Sequence, residues 1–99
     1  MLPVELLHVL LREHLSAPFP SSIEKGEDYG FVDAVMIDAD IYGWVLTAAR
    51  AGRLAPDQRA KLAKARDDLR GSLTVIPEEA RPYYERLVEM ATLALIEEA

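Results

Sequence analysis

These 99 residues contain no cysteine, which excludes a disulfide framework, a thiolate metal site and a cysteine nucleophile. The absence fits a cytoplasmic protein without establishing one, since many exported bacterial proteins also lack cysteine. "MLPVELLHVLLREHL" carries Glu5 early and is broken by His8 and Arg12, so it makes a poor signal peptide. Charges also interrupt every apolar run before it reaches bilayer length. The expectation is a soluble, cytoplasmic, membrane-free protein. Its bias toward alanine, leucine and arginine looks bacterial.

Other absences concern chemistry. The five glycines are scattered singly, so no phosphate-binding loop is present. His8 and His14 lie six residues apart, a spacing that does not place two ligands on one helix face. No HExxH or Glu-x-x-His pattern occurs, and neither a metal nor a cofactor is expected. Ser16, Ser21, Ser22 and Ser72 lack a neighbouring histidine or a nucleophile elbow. "DADIYG", Asp38 to Gly43, resembles the front of an EF-hand loop, but Tyr42 and Ala49 hold positions where that loop needs oxygen ligands.

What is present is a hydrophobic half, enough for one core at this length, so residues 1–99 read as a single domain. The periodicity is helical throughout. A first helix runs from about Pro3 to Leu15 and a second from about Val32 to Ala51, closed by Gly52. A third begins near Pro56, continues through Gly71 and ends near Thr74. A fourth covers roughly Glu78 to Glu98, with Pro82 in an early turn. The fold class is all-α: a compact bundle of about four helices. Between helices one and two lies "SAPFPSSIEKGEDYG", a long ordered loop expected to pack on the body through Phe19, Ile23 and Tyr29.

Charge falls in blocks. Residues 24–49 carry Glu24, Glu27, Asp28, Asp33, Asp38 and Asp40 against Lys25, whereas residues 50–70 carry seven bases against three acids. Residues 78–99 are acidic again, and the whole chain has a net charge of −6. This balance disfavours a general nucleic-acid binder. The blocks read either as neighbouring helices attracting one another or as a surface for a charged partner.

The most apolar helix, "FVDAVMIDADIYGWVLTAA", contains three aspartates. Asp33 and Asp40 share one side with Gly43, Thr47 and Arg50, a wet edge. Asp38 projects roughly opposite, among Ala34, Ile41, Tyr42, Val45 and Ala49. A carboxylate there needs a partner. His14, on the leucine side of the first helix, is one candidate; arginines of the third helix and the hydroxyls of Tyr83 or Tyr84 are others. Such a pair either fixes helix register or marks a pocket of His14, Asp38, Tyr42 and Trp44.

Two functions follow as expectations. The first is a small adaptor, regulatory or inhibitor-like domain that acts by binding a protein partner. Glu24, Glu27, Asp28, Asp33 and Asp40 would face a basic surface, with Phe19, Ile23 and Tyr29 as apolar anchors. Leu93 and Ile96, off the main stripe of helix four, suggest a homodimer through that helix. The second is a small-molecule binder or simple acid–base enzyme built on Asp38, His14 and the aromatic residues.

Overall fold

The structure, a computed structural model, describes residues 3–97. It is an all-α bundle: α1 (Pro3–Ser16), α2 (Ala34–Ala51), α3 (Pro56–Ser72) and α4 (Arg81–Glu97). Two 3-10 turns, Leu73–Val75 and Glu78–Ala80, bridge α3 to α4. α2 and α4 each pack against all three other helices, and α1 and α3 flank this pair. One continuous core joins Leu7, Leu10 and Leu11 of α1, Ile37, Ile41 and Val45 of α2, Leu62 and Leu69 of α3, and Tyr84, Leu87 and Met90 of α4.

The connection between α1 and α2 departs from a plain loop. Its end forms a two-stranded antiparallel hairpin, β1 (Asp28–Tyr29) with β2 (Val32–Asp33), in the register Asp28 to Asp33 and Tyr29 to Val32. Gly30, at φ +64, opens the two-residue turn, where a tight hairpin needs positive φ. A side chain at this position would also meet Ser72 Oγ at 2.7 Å. The hairpin draws Val32 out of the helix, so α2 begins at Ala34, two residues later than its apolar pattern suggests.

Asp33 caps α2. Its Oδ1 accepts from the backbone N–H of Val35 and of Met36, both at 3.0 Å, satisfying two donors that the first turn leaves open. At the other end Gly52, at φ +83, returns its N–H to Ala48 O. α3 starts with Pro56 in its first turn, while Gln58 Oε1 accepts from the Ala55 N–H at 3.1 Å. Gly71 lies inside α3, which continues through it as expected.

The turn into α4 is held by one side chain. Arg81 donates from Nε to Leu73 O and from Nη2 to Ile76 O, each at 3.0 Å. Both carbonyls follow the end of α3; Leu73 O also accepts the Ile76 N–H of the first 3-10 turn at 3.2 Å, so Arg81 ties that turn to the start of α4. No helix among the described residues is long and apolar enough to cross a membrane.

Candidate functional site

The last turn of α1, one face of α2 and the first turn of α4 converge on Asp38. α2 contributes Val35, Asp38, Ala39 and Tyr42, spaced so that they share one side of the helix. α1 contributes His14 and Leu15, the following chain contributes Ala17 and Phe19, and α4 contributes Tyr83. Together they line an open cleft of about 360 Å³.

Asp38 is the polar centre. His14 Nε2 lies 2.7 Å from Asp38 Oδ1, and Tyr83 OH donates to Asp38 Oδ2 at 2.7 Å. On the far side of the imidazole, Arg86 Nε donates to His14 Nδ1 at 3.3 Å. With Nδ1 accepting from Arg86, the Nε2 proton is the one given to Asp38. His14 is buried, while the Asp38 side chain keeps 16% of its surface exposed toward the cleft. The Arg86 guanidinium also stacks over the Tyr83 ring at 5.4 Å, and its Nη2 is buried without a hydrogen-bond partner among the described residues. Burial first, and then the hydrogen bond to Asp38, raise the Tyr83 phenol well above the ordinary tyrosine range. Burial does the same for Tyr84, whose hydroxyl donates to Ala34 O at 3.0 Å and so ties α4 to the start of α2.

The aromatic rings form the walls. His14 stacks on Tyr42 at 5.6 Å between centroids and lies against Tyr83 at 4.5 Å, and Phe19 meets Tyr83 edge-on at 5.7 Å. Trp44 is elsewhere: it packs half-buried on the core and does not line the cleft. The hydrogen bonds limit the chemistry. Both ring nitrogens of His14 are engaged, so neither offers a lone pair to a substrate as a general base must. What faces the cleft is the acceptor capacity left on Asp38.

The predicted recognition residues separate. Glu24, Glu27, Asp28 and Asp40 are exposed. Asp33 is half-buried, its Oδ1 taken by the α2 cap. Ile23 is buried, and half-buried Tyr29 turns back to accept the Glu24 N–H at 3.0 Å. Phe19 stands at the cleft edge. Asp38 to Gly43 lies entirely within helix α2, with Asp40 pointing away from Asp38 into solvent. Among the described residues no group of three or more histidine, aspartate or glutamate side chains is arranged to hold a metal ion.

Two exposed residues escape the sequence reading. Phe31, 76% exposed, occupies the hairpin tip; its N–H donates to Ser72 Oγ at 2.9 Å, and Ser72 Oγ donates to Asp68 O at 2.7 Å. Met36, also exposed, precedes Asp40 by one helical turn on the outer face of α2. The Tyr29-Gly30-Phe31 step is a turn signal, but helical periodicity through Phe31 hides it. The fold and the cleft thus define a small all-α domain with a polar-centred aromatic site. Comparison of the chain with protein-family models, with curated proteins and with solved structures finds no match.

Proposed function

We propose that this chain is a protein-interaction domain of adaptor, regulatory or inhibitor-like type, and that its acidic loop–helix surface, residues 24–40, meets a basic partner protein. The observation that carries this reading is Phe31. A large aromatic side chain left in water on a backbone clamped to α3 through Ser72 loses little freedom on docking. Glu24, Glu27 and Asp28, exposed on the connection that carries it, and Asp40, exposed on α2, supply long-range attraction for positive charge. Phe31 and Met36 take the role of apolar anchors, because Ile23 and Tyr29 serve the fold. A cytoplasmic setting, consistent with the cysteine-free sequence, belongs to the same proposal. Self-association through α4 has narrower support, since Leu93 packs on the core and leaves Ile96 exposed.

The test uses the full chain as bait in an extract of its source cells, beside Phe31→Ala and a Glu24→Gln, Glu27→Gln, Asp28→Asn triple variant. The expected result is a companion protein retained by the wild type, released by rising salt and lost from both variants. A companion held equally by all three baits overturns the assignment of this surface.

A second reading is favoured by the cleft: a ligand site around Asp38, used for binding. The engagement of both His14 nitrogens supports binding over acid–base turnover.

A further inference from the structure

Asp38 accepts hydrogen bonds from two donors, one at each oxygen, which leaves about half of a carboxylate's lone-pair sites free. The exposed part of this side chain opens into the cleft. Any group that enters must therefore donate. Tyr83 adds an acceptor, because its hydroxyl hydrogen is already given to Asp38. His14 presents a ring face, since its nitrogens are occupied, and Tyr42 and Phe19 extend the aromatic wall. Leu15, Ala17, Val35 and Ala39 supply apolar lining. The counter-charge, Arg86, lies behind the imidazole and over the Tyr83 ring and does not line the cleft, so it balances Asp38 without closing its open side.

A negative carboxylate, free acceptor lone pairs and aromatic faces together match one chemistry: a cation with N–H donors on a short apolar stem. We propose that the cleft binds organic ammonium groups, with Asp38 as the anionic acceptor and Tyr42, Tyr83 and Phe19 as the aromatic wall. This rests on the reading of the cleft as a ligand site. The cleft is open, and its volume of about 360 Å³ suits the end of a longer molecule as well as a small free amine. The same chemistry is carried by a lysine side chain of a protein.

The experiment is a titration of the full chain, followed by two-dimensional NMR, with n-butylammonium and with butan-1-ol at matched concentration. The expected result is saturable shifts at Tyr42, Tyr83 and His14 for the ammonium, at least about tenfold weaker effects for the alcohol, and loss of the ammonium response in Asp38→Asn. Tyr42→Leu, at the rim, provides a second variant and is expected to weaken binding several-fold, should Asp38→Asn prove poorly folded. Equal binding of ammonium and alcohol, or undiminished ammonium binding by Asp38→Asn, overturns the ammonium assignment while leaving a ligand cleft. No saturable response to either probe overturns both. A lysine-containing peptide run in parallel separates the sources. Binding tighter than butylammonium identifies a protein side chain, and equal or weaker binding identifies a free amine; either supports the shared chemistry.

Discussion

At the scale of single residues, Asp38 shows how one side chain can organise three helices. It lies on α2, its donors come from α1 and α4, and each is polar at a position otherwise suited to an apolar group. Asp38→Ala would leave the His14 N–H and the Tyr83 O–H without their acceptor, a loss of about 2–3 kcal/mol in urea unfolding. Asp38→Asn keeps an oxygen acceptor and is expected to cost less than half of that. Equal losses for the two changes would show that packing, and not hydrogen bonding, sets the contribution. Buried Tyr84 and half-buried Tyr83 make a second prediction. Their phenols have raised folded-state pKa values, so the unfolded chain gives up these protons first as pH climbs. The contribution is fully present below the ordinary tyrosine pKa of about 10 and is lost as pH rises beyond it. Spectroscopic titration of tyrosinate is expected to show two of the four tyrosines ionising only as the protein unfolds. Tyr83→Phe combined with Tyr84→Phe removes that lag.

At the scale of elements, small contacts decide where helices stop and how they join. Gly30 meets two requirements at once, positive φ and a close approach to Ser72 Oγ at 2.7 Å. Gly30→Ala is expected to destabilise by about 1–2 kcal/mol, with faster amide exchange at Phe31 than elsewhere in the hairpin region. Unchanged exchange at Phe31 would mean that the Ser72 clamp does not depend on the turn. Helix existence was legible from periodicity, and so was the requirement that Asp38 find a partner, with His14 and Tyr83 among the candidates. Both follow from the same physical fact: a polar group on an apolar face must be satisfied. The hairpin and the Asp33 cap were not legible. Phe31 and Val32 continue the apolar run of α2, yet Phe31 falls in the turn, held to Ser72 of α3 by a contact remote in sequence, and Val32 pairs with Tyr29 in the hairpin. Trp44 was misplaced for a related reason, since a shared helix gives proximity along the axis but not a shared face. Phe31 carried no signal of exposure, because an aromatic residue beside a helix start reads as core.

At the scale of the whole molecule, the order of stability follows from which helix touches which. α2 is the most apolar in sequence, yet Leu87, Met90, Ala91 and Ala94 of α4 are all fully buried. α4, like α2, meets each of the other helices, so opening it breaks its interfaces with all three, whereas α1 separates from α2 and α4 and leaves the α2–α3 and α3–α4 interfaces in place. Native-state hydrogen exchange is therefore expected to show the slowest amides in the middle of α4, at the global unfolding limit, and faster exchange in α1 through sub-global opening. Because His14 and Leu15 leave with α1, that opening also dismantles the Asp38 cleft. An ammonium ligand held there would selectively slow exchange in α1, by an amount set by its concentration relative to Kd, while α4 gains no more protection than global stabilisation confers. Uniform slowing across all helices would instead mean that the chain opens as one unit, with α1 bound into the same cooperative core as α4.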